Sequence, residues 1–294
     1  MKKQGLILVL FICLLIFPFT GVGQQRQTYQ ISLVKLWETQ AKLIVPESVI
    51  RDPVTGYFLV SNINGSSSAV DGNGFISRLN ESGEIVNLKW VKGLNAPKGM
   101  AIHERILYVT DITRLISIDL DKGKIIKQYE VPGSRFLNDV VTDDLGNVYI
   151  SDSSPDSRII YRLHSGKIEK WLESERLNRP NGLFFADNIL YIGSSGDGKI
   201  KTVDLQEKEV KILANIGLNI DGLFQDRLGN IFTSNWSGII SCTLPSGKTV
   251  KLLDTTEESI NTADIGYWQE RDILLIPTFF GNTIAAYQIN YSEQ

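Results

Sequence analysis

Cysteine is nearly absent from this chain. There are two among 294 residues, Cys13 in an apolar N-terminal run and Cys242 in the strand-like stretch IISCTL. Once the N-terminal run is removed no internal disulfide is possible, so the fold must rest on its core, with or without a metal ion. A lone Cys in such a strand is expected to be buried and inert. Histidine is equally scarce, with only His103 and His164. Both fall in turns expected to be exposed on one side of the repeat described below, which excludes a Ser-His or Cys-His catalytic apparatus. Zinc, without His or Cys ligands, is disfavoured as well. A formal net charge of −3 and the lack of a basic stripe exclude a nucleic-acid surface. Low-complexity tracts are missing, and after residue 30 almost nothing carries the period of a long helix.

The one long hydrophobic run stands at the N-terminus. Lys2 and Lys3 precede GLILVLFICLLIF, Pro18 ends the run, and GVG supplies small residues before Gln24. This is the pattern of a cleaved export signal over residues 1–23, with residues 24–294 as the mature domain. The run is short for a membrane-spanning helix and contains a breaker. Membrane contact is therefore expected only before cleavage, and the product is periplasmic or secreted.

What remains is a repeat. Short apolar runs alternate with Gly, Asn, Asp and Ser clusters, the mark of an all-β chain. The runs cycle in fours. NDVVTDDLG, NVYISDSSPD, SRIIYRLHSG and KIEKWLES form one cycle, and NGLFFADN, ILYIGSSGD, GKIKTVDLQE and KEVKILAN form the next. The turn between third and fourth runs recurs as LDKGK, LHSGK and LPSGK. Six cycles are visible, the last stopping after three runs at NTIAAYQI. ISLVKLWET near the N-terminus resembles KIEKWLES, with Trp37 answering Trp171, and supplies the missing strand. The expected fold is a six-bladed β-propeller of four-stranded blades, its last blade closed by the N-terminal strand. Closure also hides the sheet edges of an open array.

In such a ring the first strand of every blade (strand a) lines the central channel and starts on the same face. The residues that open these strands are Glu47, Lys98, Asn138, Asn181, Asp221 and, less securely aligned, Asp264. Glu47, Asn138, Asn181 and Asp221 offer oxygen acceptors, which suit Ca²⁺, then Mg²⁺ or Mn²⁺. Asn-Gly and Asp-Gly also make ordinary turns, but four acceptors in register on a closed ring favour a cation, catalytic or structural. Lys98 and Arg135 are open to two readings, an anionic substrate group or a local salt bridge. The ends of the second strands are expected to bring Asn62, Asp111, Asp152, Ser194 and Asn235 to the same face, with Trp236, Phe279 and Phe280 nearby. Loop 62–74, NINGSSSAVDGNG, is either a lid or a surface insertion.

These residues resemble the gluconolactonase and senescence-marker-protein (regucalcin-like) propellers over residues 31–294. The resemblance rests on Pro-Glu-Ser at 46–48, Pro-Asn-Gly at 180–182 and Asp-Gly at 221–222, in that order. It implies a divalent-metal site at Glu47, Asn181 and Asp221, with Asn138 of an Asn138-Asp139 pair touching metal or substrate. The family's Arg lies two residues before that Asn, whereas Arg135 lies three before. Ile220 replaces the usual Pro before Asp221. The paraoxonase-like His pair is absent. The implied activity is a metal-dependent lactonase or esterase. The cation would act as a Lewis acid on the ester carbonyl and Asp221 as general base, with Asp139 or Asp152 as alternative bases. Asn138, Asp139, Arg135, Lys98 and Asp152 would contact substrate. Two other readings stay open, a non-catalytic propeller binding a sugar, peptide or protein, and an NHL-like scaffold without metal. The sequence does not speak to oligomeric state.

Overall fold

The computed structural model describes residues 29–217 and 219–293. The export signal expected over residues 1–23 lies outside them. Among the described residues no helix is long and apolar enough to cross a membrane.

Among the described residues, twenty-four strands form six four-stranded antiparallel sheets. Blades 1 to 5 span 46–94, 97–130, 137–173, 180–215 and 223–254, each running a, b, c, d outward in chain order. Blade 6 has Gly266–Trp268, Ile273–Pro277 and Ile284–Glu293 as strands a to c. Its fourth strand is Tyr29–Glu38, antiparallel to Ile284–Glu293. The all-β, six-bladed propeller closed by the N-terminal strand is thus the observed architecture.

Apolar side chains fill the spaces between neighbouring blades, as alternation along each strand requires. One cluster joins Val49, Phe58 and Val60 of blade 1 to Trp268, Leu275 and Ala286 of blade 6. Another joins Leu59 and Ile76 of blade 1 to Leu107, Val109 and Ile116 of blade 2. The outer strands add a repeated latch. Trp37 of blade 6 lies on the c–d turn of blade 1 at Gly83, and Trp90 of blade 1 lies on that of blade 2 at Gly123. Both glycines have positive φ, 82° and 62°, so the turn needs a residue free to adopt it and the ring needs one without a Cβ.

Cys242 is buried as expected, and burial pushes its thiol pKa upward. His164 is exposed and its Nδ1 meets the Asn147 side chain. His103, expected to be exposed, is half-buried at the end of a strand with its ring against Gly146.

Candidate functional site at the channel mouth

The site begins with a local irregularity. In blades 1 to 4 the pairing of strands a and b shifts across Pro46/Val49, Pro97/Met100, Leu137/Val140 and Pro180/Leu183. The two residues skipped are 47–48, 98–99, 138–139 and 181–182, the motif pairs themselves. In blade 5 Asp221 and Gly222 stand just before the paired strand Leu223–Gln225. A bulge frees two successive residues from the ladder and re-aims their side chains.

The freed backbone is held by hydroxyls of strand b. The Ser48 N–H donates to Ser61 Oγ at 3.0 Å, Asp139 N–H to Ser151 Oγ at 2.9 Å and Gly222 N–H to Ser234 Oγ at 2.9 Å. Some hydroxyls then donate onward to the next blade, Thr110 to Asn138 O and Ser234 to Ala263 O. Blade 4 has Gly193 at this place, where a Cβ would sit 2.4 Å from Ile220 Cγ2. This repeated Ser/Thr is a signal the sequence carries, in SN, TD, SD and SN at 61–62, 110–111, 151–152 and 234–235.

The first member of each motif pair faces a cavity of about 530 Å³ at the mouth. Glu47, Lys98, Asn138, Asn181 and Asp221 all line it. Asn181 Nδ2 donates to Asp221 Oδ1 at 2.9 Å. Glu47 Oε2, Asn138 Oδ1 and Asn181 Oδ1 are buried and have no hydrogen-bond partner. Unpartnered buried oxygens are costly unless something binds them. Burial, reinforced by Asp221 and Asp264, pushes the Glu47 pKa well above its ordinary value against the pull of Lys98. Burial raises Asp221 to about 6, with the Asn181 hydrogen bond opposing. The mouth is therefore short of positive charge. Among the described residues no three His, Cys, Asp or Glu side chains gather as a metal site. The set here is a mixed one of two carboxylates and two carboxamides, and its orphaned oxygens fit a hard cation.

Where the second member carries a side chain, as Ser48 and Asp139 do, it faces the other way. Ser48 and Asp139, together with Asp264, line a separate cavity of about 310 Å³. Asp139 accepts from Val140 N at 2.7 Å and Leu183 N at 2.6 Å. Burial raises it to about 7 against those hydrogen bonds. Asp264, placed on the mouth ring in the sequence reading, is at the Ser48 level instead. Its N–H donates to Glu47 O and it pairs with Ser48 in a parallel bridge.

Lys98 is 1% exposed and its Nζ donates to Ser67 O and Ala96 O, both at 3.0 Å, above the Phe136 ring. Burial lowers its pKa to about 8, with Glu47 and Asp111 opposing. Its partners are carbonyls, and through Ser67 it pins loop 62–74 against the mouth. Gly65, Ser66 and Ser67 of that loop line the cavity, and Gly72 N–H adds a tie to Asn95 Oδ1.

The strand-end residues do not line the mouth cavity. Asn62 accepts from Ile44 N, Asp111 from Asn95 N and Ala96 N, and Asp152 from Arg135 N and Phe136 N. Each holds the connection that enters its own blade. Ser194 is buried and accepts from Lys201 Nζ, and Asn235 caps Ile239 N. Arg135 is exposed, donates to Pro155 O, and lines a groove outside the mouth with Asp152. The arginine that does line the mouth is Arg179, two residues before Asn181. Phe136, Ser195, Asn219, Trp236, Phe279 and Phe280 line it too.

No family model and no curated protein matches the chain. Solved structures do. The fold is similar to that of a gluconolactonase from Xanthomonas campestris, with a TM-score of 0.64 at 16% identity over 88% of this chain and 89% of that one. A catalytically inactive virginiamycin B lyase from Staphylococcus aureus with quinupristin gives 0.61 at 14% identity, over 89% and 99%. A nidogen chain from a nidogen/laminin complex gives 0.65 at 17%, over 81% and 98%. The likeness is one of fold. Propellers with two different activities and one from a protein complex share it, so function must be argued from the mouth itself.

Proposed function

We propose that this chain is an exported, divalent-cation-dependent hydrolase of a lactone or related ester, working at the mouth of the propeller channel. The observation that carries the reading is the convergence of Glu47, Asn138, Asn181 and Asp221 on one cavity, with three of their oxygens buried and unpartnered. These four residues would hold a cation, most fittingly Ca²⁺. When bound, it would supply Lewis-acid polarisation of the ester carbonyl.

The chain's own groups do the rest. Asp221 is the candidate base, a buried carboxyl oriented by Asn181 and facing the cavity. Asn138 and Arg179 line the same cavity and orient the substrate. Lys98 keeps loop 62–74 in place as one wall. Asp139 and Asp152, considered as alternative bases, have carboxylates engaged with backbone N–H groups away from the mouth cavity. The structural neighbours support the reading insofar as one of them is named a gluconolactonase.

The test is turnover of a panel of aldono-, alkyl- and aryl-lactones by the purified mature chain with Ca²⁺, with Mn²⁺ and with chelator. Cation-dependent hydrolysis that Asp221→Asn abolishes, with the circular dichroism spectrum unchanged, is the expected result. Calorimetric Ca²⁺ binding without any turnover would replace the hydrolase by a binding module with a structural ion. No Ca²⁺ binding at all would remove the cation from the reading.

A further inference from the structure

The mouth is not uniformly polar. Trp236, Phe279 and Phe280 stand together on its rim, packed edge to face with centroids 5.5, 5.8 and 4.9 Å apart. Trp236 is 44% exposed and Phe280 is 61% exposed. Ile63 and Ile220 line the cavity with them.

This shelf is held rigidly. Phe279 has φ 50°, a conformation sterically unfavourable for a bulky side chain. Its ring packs against a small buried cluster of Ile63, Ala96 and Ile112. The turn after it is closed by Asn282 N–H to Phe279 O at 3.1 Å and by the Thr278 and Thr283 hydroxyls at 2.8 Å. Asn282 Oδ1 in turn accepts from Val45 N, tying the turn to the entry of blade 1. Phe280 is thus presented by a fixed turn.

The aromatic rim comes from blades 5 and 6. Blade 3 stands across the ring from blade 6, and Arg179 enters on the connection from blade 3 to blade 4. Its Nε reaches Ser153 O at 3.4 Å, and no carboxylate among the described residues forms an ion pair with it. The backbone of Arg179, at φ 48°, is fixed by Ser157 O and by the Ser195 side chain. A cavity of about 530 Å³ therefore has an aromatic rim on blades 5 and 6 and a cationic side chain where blade 3 leads into blade 4, while Glu47 on blade 1 and Asp221 at the start of blade 5 line it as well.

We propose that Trp236, Phe279 and Phe280 form the specificity subsite of this cavity and take an apolar aryl or acyl substituent of the lactone or ester. This rests on the hydrolase reading and narrows it. Arg179 then faces the polar end of the substrate. A polyhydroxylated sugar lactone would set hydroxyls against Phe279, Phe280, Ile63 and Ile220, which offer no side-chain hydrogen-bonding groups to replace the lost water. An aryl or acyl group buries apolar surface there and gains aromatic contact.

The test compares γ-phenyl-γ-butyrolactone, unsubstituted γ-butyrolactone and gluconolactone in the parent and in the Trp236→Ala/Phe280→Ala double variant. In the parent the phenyl lactone should lead the unsubstituted ring by about tenfold or more in kcat/KM, and should exceed gluconolactone. In the double variant the phenyl-to-unsubstituted ratio should fall close to one, with the melting temperature near that of the parent. A preference for gluconolactone, or a ratio unmoved by the double substitution, would overturn the subsite even with hydrolysis intact. Calorimetric binding of the phenyl-substituted pyrrolidinone lactam, which resists hydrolysis, separates the two claims. Binding that exceeds that of plain pyrrolidinone and weakens about tenfold in the double variant supports the subsite whether or not any lactone turns over. Equal binding of both lactams overturns it.

Discussion

The two ends of the central channel are built from adjacent residues and differ in kind. At the mouth, Glu47, Asn138 and Asn181 present oxygens with no partner. At the other end, Asp139 is capped by two backbone N–H groups and Asp264 by the Ser48 side chain. Both ends bury carboxyls in a ring of strand starts, but only the mouth leaves a carboxyl oxygen, that of Glu47, without a partner. The backbone differs as well. Left-handed residues on the mouth side include Val45, Ile112, Arg179 and Phe279, none of them a residue that favours that conformation. On the turns of the far face the non-glycine ones are Glu104, Ser165, Asp187, Asn188, Lys208 and Asp272, with no β-branched or aromatic residue among them. Bulky residues held in the left-handed region at one end, with unmet hydrogen bonds beside them, support the proposal that the mouth is the working surface.

The sharpest way to break this contrast is to change one carboxyl at each end. Glu47→Gln should lower kcat/KM by about 100-fold or more with little loss of melting temperature, because it removes a charge the folded chain does not itself satisfy. Asp139→Ala should do the reverse in emphasis. It leaves the Val140 and Leu183 N–H groups without acceptors, at about 1–3 kcal/mol of stability. Denaturant melts and steady-state kinetics on both variants check the pair. A mouth variant that unfolds while the far-end variant stays stable would sink the division of labour.

A second test reaches the backbone that sets the two ends apart. A Cβ on Gly99 would lie 2.2 Å from Asp139 Oδ1 and 2.5 Å from its Cα, and one on Gly222 2.3 Å from Asp264 Oδ1. Gly99→Ala and Gly222→Ala should each cost about 1–3 kcal/mol, read as a lower midpoint in urea. Gly247→Ala, where nothing lies within 4 Å, loses only what its positive φ costs.

The smallest effect is expected at the turns between strands a and b of blades 1 and 2, where Arg105 pairs with Asp52 at 2.7 Å. Burial pushes the Asp52 carboxyl up, but hydrogen bonds from Arg105 and Thr55 more than offset this and hold it below its ordinary value. A depressed carboxyl contributes stability that is present above its unfolded value and fades as pH falls through its folded one. Arg105→Gln should therefore lie below the parent by less than about 1 kcal/mol at neutral pH, with the two melting curves converging in acid. A gap that widens in acid would contradict the pairing.

Much of this molecule was legible without coordinates. The cycle of four runs, the short last cycle and the echo of Trp171 in Trp37 name the ring and its closure, because strand period and turn chemistry are local. Glu47, Asn138, Asn181 and Asp221 were placed on one cavity by register alone. Less was legible where partners are distant in sequence. Asp111 and Asp152 look like site carboxylates, yet their oxygens hold the N–H groups of residues 95–96 and 135–136. Arg135 has nearly the expected spacing from Asn138, yet its guanidinium turns out to Pro155 O, while Arg179 lines the mouth. The Ser/Thr before each strand-end Asn or Asp was in plain view, but its use became apparent only once the bulges it serves were seen.

The chain by itself determined a six-fold antiparallel ring, its closure by the N-terminal strand and the set of polar residues at the strand starts. Alternation and turn formation act within a few residues and leave their mark in order. Tertiary structure alone decided which end of the channel each of those residues faces. A shift of one residue reverses a side chain on a strand, and a bulge makes that shift without changing the composition of the motif. Only the closed ring, with hydroxyls of strand b holding the freed backbone, turns Glu47 to the mouth and Ser48 away from it.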